Sequence, residues 1–312
     1  MSLSVRGVCH FRSRHAASTA KRFQSGVAPL AADFSSLKGS TGHKPNWKPA
    51  QPISVTTPPK PDWKYGGGAN DNGVSLRAKH VEIDPFAKGR PMFHNYSLLI
   101  SGIVPRPVGF VSTLSKEGKP NLAPFSYFQV VDHDPPVFTI GFSGRSSASK
   151  DTLRNLQETG ECTINTVSEH MVEAVNAASI DAPRGVSEWD LSGLHQAPST
   201  MVKPSRVQES VFSVEGRLSE VVDFRLSRNP VGAHGKLAII EGINFWVRAD
   251  AIDSKGSHID LEVLRPVGQL GGVSYARMSE MFELPRSTWK KDYEDHDTGL
   301  RKMFGDRSTT KD

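Results

Sequence analysis

The sequence has few cysteines, no long apolar run and none of the short motifs that identify several common enzyme classes. Only Cys9 and Cys162 occur among 312 residues, which is too few for a disulfide framework or a cysteine-rich zinc site and favours a reducing compartment. No run of about 18 uncharged apolar residues exists, so an ordinary transmembrane helix is not predicted. G-x-S-x-G, H-E-x-x-H, G-x-x-x-x-G-K-[ST] and G-x-G-x-x-G are also absent, so the hydrolase, zincin, P-loop and Rossmann interpretations have no support.

Acidic residues are missing from the first 32 positions, because Asp33 is the first acid in the chain. Those positions hold five of the 38 basic residues, and the rest of the chain carries 33 basic and 33 acidic side chains. A neutral body argues against a nucleic-acid partner. The Arg-rich, Ser-rich composition of residues 1 to 26 is typical of a mitochondrial transit peptide. Residues 1–32 are therefore predicted to be a transit peptide or a disordered basic segment. The predicted location of the protein is mitochondrial, and a cytoplasmic location is the alternative.

Residues 33–80 are rich in proline and glycine and are predicted to form an extended arm. Two similar segments, Pro45-Asn46-Trp47-Lys48 and Pro61-Asp62-Trp63-Lys64, occur within this arm. Two interpretations remain open, because the tryptophans either attach the arm to the folded body or are exposed on a free linker. The body is predicted over residues 81–285, and residues 286–312 are predicted to be a polar C-terminal tail.

The stretch from Pro105 to Phe128 gives the clearest structural signal. A β-branched run from 108 to 114, a polar connection containing Gly118 and an aromatic run from 121 to 130 predict a β-hairpin. Ala123-Pro124 interrupts the second run, and proline has no N–H to donate to a ladder. This position is therefore expected at a sheet edge, at a bulge or beside a ligand.

Further strands are predicted over 136–142, 161–167, 210–222 and 237–247, from buried runs and alternating patterns. Short helices are predicted at 150–159, with a serine N-cap and Gly160 as C-cap, and after Ser168. Helical crossovers are missing between most strand pairs, so the fold is expected to be mainly β, a closed or nearly closed antiparallel barrel with a few short helices.

The loop from Arg145 to Thr152 is a candidate phosphate site. A polar loop that opens a helix presents unpaired N–H groups and a positive dipole end, and Lys150 adds a full charge while Ser147, Ser149 and Thr152 add hydroxyl donors. An ordinary solvated helix cap is the alternative. Nearby strands carry Ser112, Thr113 and the run Asn121 to Ser126, a mixture of polar and apolar groups that suits the edge and face of a planar heterocycle. Asp132-His133-Asp134 is interpreted as a solvated turn rather than a metal site, because neighbours on an extended chain point to opposite faces.

Five motifs in this order resemble the flavin reductase-like family of FMN-binding split β-barrels. They are Tyr96-x-Leu98-Leu99, the segment 105–113, the segment 121–128, Lys150-Asp151-Thr152-Leu153-Arg154-Asn155 and Gly271-Gly272-Val273-Ser274-Tyr275. The resemblance covers residues 81–285. It implies a Greek-key split barrel, a homodimer, and FMN held at or near the subunit interface.

Matched motif by motif, the resemblance also implies a set of cofactor-binding residues. Those expected to line the flavin ring and ribityl chain are Ser112, Thr113, Asn121, Leu122, Ala123, Pro124, Phe125 and Ser126. Those expected at the phosphate are Ser147, Lys150 and Thr152, and Tyr275 is expected to close the site. No catalytic residue and no metal ligand is predicted.

The implied function is an FMN-dependent oxidoreductase of flavin reductase type that uses NADH or NADPH. A hydride transfer of this kind needs no dedicated acid or base, because the chemistry belongs to the cofactor. A non-catalytic flavin-binding or carrier protein with the same pocket is the alternative. A third interpretation, an OB-like barrel that binds nucleic acid, is weakened by the balanced charge of the body.

Overall fold

The computed structural model describes residues 43–49, 51–144, 150–180, 182–183, 186–224 and 234–305. The predicted transit peptide and the candidate phosphate residues Arg145, Ser147 and Ser149 lie outside the described residues. None of the helices in the described part of the chain has the length and apolar character that crossing a membrane requires.

Seven strands form one antiparallel sheet in the order β3-β2-β6-β9-β10-β5-β4. Their bounds are β2 (Gly109–Leu114), β3 (Pro120–Phe125), β4 (Phe128–His133), β5 (Pro136–Phe142), β6 (Glu161–Thr166), β9 (Phe212–Asp223) and β10 (Lys236–Val247). The hairpin predicted in the central stretch is confirmed as β2 and β3, with Gly109 opposite Phe125. The aromatic run predicted as one strand over 121–130 divides into two strands. β3 ends at Phe125, and β4 begins at Phe128 and pairs with β5.

The sheet closes on itself into a split barrel. β3 and β4 lie at opposite edges of the sheet, yet only residues 126 and 127 separate them in the chain. That link spans about 10 Å, whereas the edges of a flat seven-stranded sheet would lie about 29 Å apart. The sheet must therefore curl, and the ring of Phe125 lies 5.1 Å from that of Phe142 in β5. The mainly β, split-barrel expectation is confirmed.

Short elements surround the barrel. Those before the sheet are β1 (Ser54–Thr56), α1 (Val74–Arg77) and α2 (Met92–Gly102). Those between its strands are α3 (Asp151–Thr159), α4 (Val172–Ala177), α5 (Glu188–Ser192), β7 (Gln196–Ala197) and β8 (Arg206–Val207). Those after it are α6 (Leu261–Leu264), β11 (Val267–Gln269), β12 (Tyr275–Arg277), β13 (Glu280–Phe282), α7 (Trp289–Glu294) and α8 (Leu300–Phe304). The segment between α4 and β8, for which no element is predicted from the sequence, thus contains α5 and β7.

Two apolar clusters cover the two faces of the sheet. The barrel core consists of Val111, Phe138, Ile140, Phe142, Leu153, Leu156, Cys162, Ile164, Val214, Ala238 and Ile240. The outer core consists of Val108, Phe110, Leu122, Val167, Met171, Val175, Ala178, Trp189, Val207 and Val267. Consecutive residues Phe110 and Val111 belong to different clusters, as the alternation of side chains along a strand requires.

The helix α3 closes one flank of the barrel. Its buried residues are Thr152, Leu153, Asn155 and Leu156, spaced as one helical face. Gly160 ends the helix in the left-handed conformation with φ 74°, which confirms the predicted C-cap. The predicted serine N-cap was wrong, because Lys150 occupies that position and its side chain makes no capping hydrogen bond.

Glu215 on β9 is a fully buried carboxylate that holds the loop around residues 200–202 against the barrel. Its oxygens accept hydrogen bonds from the backbone N–H groups of Thr200, Met201 and Val202, at 2.5 to 3.0 Å. The side chains of Thr200, Asn244 and Trp246 also donate to it. Burial alone would raise the pKa of Glu215, but these hydrogen bonds outweigh it and lower the pKa to about 2.

The N-terminal arm contacts the C-terminal segments of the chain. Strand β1 pairs in parallel with β13, and Trp47 stacks on Arg277 with its ring 4.5 Å from the guanidinium carbon. The Tyr65 hydroxyl donates to Asp292 in α7. Of the two interpretations of the arm, the structure therefore favours attachment, through Trp47 rather than Trp63, which donates to Gly68 and contacts Tyr65 within the arm itself. The predicted polar tail contains α7 and α8, with Tyr293 and Leu300 buried.

Candidate functional site

Four buried polar side chains meet where α3 packs on the β2-β3 hairpin. Asn121 donates through Nδ2 to the hydroxyls of Thr113 and Thr152, at 3.3 and 2.9 Å. Asn155 donates to the same Thr113 hydroxyl at 3.0 Å. All four residues are at most 8% exposed. We call Thr113, Asn121, Thr152 and Asn155 the polar cluster.

The hydroxyl of Thr113 fixes how the two amides are oriented. One hydroxyl carries one proton, so it cannot donate to both amide oxygens, and at least one amide must present its NH₂ group. In the structure both do. Each amide thus directs its NH₂ group, rather than its oxygen, at the Thr113 hydroxyl.

The outer edge of β3 carries the unusual Ala123-Pro124 pair. The N–H of Leu122 points away from β2 and donates to Glu188 Oε2 at 3.3 Å. Strand alternation therefore puts the backbone nitrogen of Pro124 on the same outer side, where an N–H would have no ladder partner. The edge position expected for Pro124 is confirmed. Ala123, Pro124, Phe125 and Ser126 are all half-buried, so this end of the edge strand presents accessible surface.

Arg106 supports that surface from below and was not among the predicted site residues. It is 7% exposed, and its guanidinium donates to the carbonyls of Ile100, Ile103 and Leu270 and to the Ser126 hydroxyl, at 2.5 to 3.3 Å. The Arg106 side chain thus connects the C-terminal end of α2, the residue that follows β11 and Ser126, which ends the predicted flavin-binding run. An arginine between two prolines, Pro105 and Pro107, is the signal that could have identified it.

The positive end of α3 lies beside the polar cluster. The first N–H groups of a helix have no intrahelical acceptor, and no side-chain cap from Lys150 satisfies them. Lys150 is exposed, whereas Thr152 is buried with its hydroxyl accepting from Asn121. Of the three residues predicted at the phosphate, the structure thus brings Lys150 and Thr152 to one helix end, and Ser147 lies outside the described residues.

The predicted residues do not all share one face of the hairpin. Thr113, Asn121, Ala123 and Phe125 alternate onto the side of the barrel core and α3, while Leu122 belongs to the outer core. Ser112 faces the outer side too, and its buried hydroxyl has no hydrogen-bond partner among the described residues.

Tyr275 lies on β12 and packs against the outer core. Its hydroxyl donates to Asn176 Oδ1 at 3.4 Å, and burial raises the pKa of Tyr275. The backbone of Arg106 forms an antiparallel β-bridge with Gln269 in β11, and Gln269 pairs with Tyr275 in β12. The predicted closing residue is therefore connected to the edge of β3 through β11 and Arg106.

A cleft of about 460 Å³ adjoins the polar cluster. It lies between the β2-β3 turn, α3 and the start of α5, and its lining residues are Ser115, Glu117, Lys119, Pro120, Asn121, Asp151, Arg154, Asn155, Glu158, Val186, Ser187 and Glu188. Asn121 alone among the predicted flavin residues lines it. In the described part of the chain, no group of three or more His, Cys, Asp or Glu residues is arranged to hold a metal ion.

Comparison with known proteins agrees with this fold. The sequence profile of the flavin reductase like domain matches residues 101–260, just over half of the chain. This chain belongs to the flavin reductase-like family. The resemblance identified from the sequence motifs is confirmed.

Relatives cover the same part of the chain. A protein of unknown function from Halalkalibacterium halodurans is 37% identical over 214 residues, which are 67% of this chain and 97% of that protein. Nitrilotriacetate monooxygenase component B from Bacillus cereus superimposes with a TM-score of 0.61 at 31% identity, covering 66% of this chain and all of that one. The 2-nitrobenzoate 2-nitroreductase of Pseudomonas fluorescens gives a TM-score of 0.58 at 26% identity, over 68% and 98% of the two chains.

Proposed function

We propose that this protein binds FMN and carries out electron transfer between NADH or NADPH and the bound flavin. The observation that carries the proposal is the half-exposed surface of Ala123 to Ser126, placed on an unpaired strand edge beside the positive end of α3. Such a surface offers backbone polar groups and an apolar wall to a planar heterocycle, while the helix end and Lys150 suit a phosphate. The similarity to a monooxygenase component and to a nitroreductase supports an oxidoreductase class.

The buried groups fit this cofactor. The hydroxyl of Ser112, one of the predicted flavin residues, is buried without a partner in the described part of the chain, as expected at a ligand-binding rather than a purely structural position. When bound, FMN would supply hydride acceptance and release. The chain's own task is to hold the ring along 123–126, to fix Ser126 through Arg106, and to attract the phosphate at Lys150.

Replacing Lys150 with alanine is expected to weaken FMN binding by about 10-fold to 100-fold, because a charge-assisted phosphate contact contributes about 1.5 to 3 kcal/mol. Fluorescence titration of FMN measures the change. Lys255→Ala, on an exposed loop, is the matched control and should leave the affinity unchanged. Equal affinities for the wild-type protein and the Lys150→Ala variant would remove the phosphate assignment.

Anaerobic addition of NADH or NADPH to the FMN-loaded protein separates the enzyme from the carrier. If the absorbance of the oxidised flavin is lost promptly after either donor is mixed in, the protein acts as a reductase. A flavin that stays oxidised with both donors favours the alternative, a flavin-binding or carrier protein that uses the same surface.

We also propose that the protein acts as a homodimer. An exposed apolar face on and after α2 includes Leu98, Leu99 and Ile103, which are 48%, 54% and 62% exposed. Val273 extends it, because the neighbouring Gly271 contacts Ser101 in α2. This face adjoins Arg106 and hence the edge of β3. A second copy would bury the apolar side chains and cover a flavin that one chain leaves partly wet.

Leu99→Glu is expected to shift the protein from dimer to monomer in sedimentation velocity, with a parallel loss of FMN affinity because binding and association are coupled. Leu76→Glu, on α1 and 88% exposed, is the control. A wild-type monomer that binds FMN stoichiometrically would refute the dimer.

The reported relatives come from bacteria and give no support for mitochondrial import. Residues 1–32 lie outside the described residues, so import stays a prediction. A reporter carrying residues 1–32 that remains outside mitochondria would refute it.

A further inference from the structure

We propose that the N-terminal arm, acting through Arg277, holds Tyr275 in its closing position and thereby slows the exchange of bound flavin. The inference rests on the proposed flavin function and adds a means of controlling it. The arm precedes residues 101–260, which the family profile matches, and Arg277 follows the last of the family motifs in the sequence. No contact with the flavin is assigned to Arg277, so it is a positioning residue.

Arg277 ends β12 and joins the arm to the body of the protein. Its guanidinium carbon lies 4.5 Å from the centre of the Trp47 ring, and its Nη1 donates to the Lys48 carbonyl at 3.1 Å. The same nitrogen lies 3.9 Å from the carboxylate of Glu169, just before α4. Trp47 is 68% exposed, so this part of the arm is held by the cation and not by burial in a core.

The arm also contacts the segments on both sides of the β11-β12 hairpin. Arg265, which precedes β11, donates from Nη1 to the Gln51 carbonyl at 2.8 Å. The N–H of Ile53 donates to the Glu262 carboxylate in α6. After the hairpin, β13 pairs in parallel with β1 over three residues. A two-stranded pairing this short is marginal by itself, so these contacts act together to keep the arm against the hairpin.

The hairpin connects the arm to the proposed flavin surface. In its register Arg277 lies opposite Val267, and Tyr275 lies opposite Gln269. The backbones of Gln269 and Arg106 exchange two hydrogen bonds, at 2.9 and 3.0 Å, and Arg106 donates to Ser126. One end of the hairpin is thus held by Arg106 beside the flavin surface, and the other end is held by the arm through Arg277.

Tyr275 depends on these two attachments for its position. Its hydroxyl donates to Asn176 at 3.4 Å, which is long for a hydrogen bond between two oxygens. The turn before it contains Gly271 and Gly272, the second with φ 64°, and glycine restricts the backbone least. A hairpin of three residue pairs that is released at Arg277 therefore opens more often, and Tyr275 moves with it. Flavin that Tyr275 covers leaves only during such openings.

Hydrogen exchange of the flavin-free, full-length protein tests the attachment without the cofactor. In Arg277→Met the amides of residues 267–277 should exchange about 5-fold to 30-fold faster, the range for losing one cation–π contact and one hydrogen bond. Trp47→Leu should have a smaller effect in the same direction, because the Lys48 carbonyl still accepts from Arg277. Arg248→Met, which breaks an exposed pair with Asp250, is the matched control. Unchanged exchange in Arg277→Met would overturn the inference.

The rate of FMN release tests the consequence for the flavin. Stopped-flow dilution of the FMN-loaded protein, followed by flavin fluorescence, should show release about 5-fold to 30-fold faster in Arg277→Met, with an association rate close to that of the wild type. Trp47→Leu should also release FMN faster, and its exposed position keeps the fold out of question. Arg248→Met should release FMN at the wild-type rate.

A double-mutant cycle with Tyr275→Ala separates positioning from general support of the fold. If Arg277 acts through Tyr275, then Arg277→Met no longer speeds FMN release once Tyr275 is removed, and the two effects are less than additive. Additive effects would overturn the positioning role. Equal release rates in the wild type and Arg277→Met would overturn this inference and leave the flavin function intact, whereas a wild-type protein that binds no FMN would overturn both.

Discussion

Replacing Glu215 with glutamine is expected to lower the free energy of unfolding by about 3 to 5 kcal/mol, because about two hydrogen bonds to a charged acceptor would be lost and each contributes about 1.5 to 3 kcal/mol. The carboxylate is fully buried and accepts from three backbone N–H groups and three side chains. Glutamine keeps the shape but replaces one acceptor oxygen by an NH₂ group. The NH₂ group of glutamine would then face N–H groups that also donate, and some of these buried N–H groups would lose their acceptor.

The same substitution elsewhere on β9 provides the control. Glu220 lies on β9 and is exposed, so Glu220→Gln should change the free energy of unfolding by less than about 0.5 kcal/mol. Thermal unfolding followed by circular dichroism compares the two variants. A Glu215→Gln protein as stable as Glu220→Gln would show that the loop around residues 200–202 is held by other contacts.

The stabilisation by Glu215 should also depend on pH. The pKa of Glu215 is lowered from 4.5 to about 2 in the folded protein, so the carboxylate stabilises the fold above pH 4.5 and loses this effect as the pH falls towards 2. A shift of this size corresponds to about 3 kcal/mol. The difference in unfolding free energy between the wild type and Glu215→Gln should therefore shrink over that pH range, and a constant difference would contradict the linkage.

Glu215 also shows why this part of the structure could not be predicted. The alternation along β9 identifies the strand, but Glu215 lies on the face opposite Val214 and the barrel core, where a charged residue would be expected to be exposed. Its partners, however, come from the loop around residue 200 and from β10, and no local pattern indicates that these segments meet. A buried carboxylate is compatible with the fold only because a distant loop supplies the donors.

The β2-β3 hairpin was predictable for the opposite reason. Its strands, its turn with Gly118 and the edge position of Pro124 all follow from residues within 20 positions of one another. The polar cluster was only partly predictable, because all four residues lie in the quoted motifs but Asn155 was assigned no role, and only the packing of α3 brings it to Thr113. Arg106 lies further beyond prediction, since one of its acceptors, Leu270, is 164 residues away.

Replacing Arg106 with methionine is expected to have the largest effect on the proposed flavin surface. The side chain is 7% exposed and satisfies three carbonyls and the Ser126 hydroxyl. Methionine keeps much of the volume but leaves these acceptors without a donor, at about 1 to 3 kcal/mol for each that water cannot reach. We expect a loss of about 3 to 5 kcal/mol in unfolding free energy and a loss of FMN affinity of at least about 10-fold. Arg248→Met, which breaks an exposed pair with Asp250, should change neither by much.

A double-mutant cycle with Ser126→Ala distinguishes positioning from general support of the fold. If Arg106 acts on the flavin through Ser126, the effects of the two substitutions on FMN affinity are less than additive, since the second removes a contact that the first has already displaced. Their effects on stability should be closer to additive, because three of the four acceptors of Arg106 are carbonyls that Ser126→Ala leaves in place. Affinities are measured at a temperature where all variants are folded. Additive losses of FMN affinity would show that Arg106 supports the barrel without positioning Ser126.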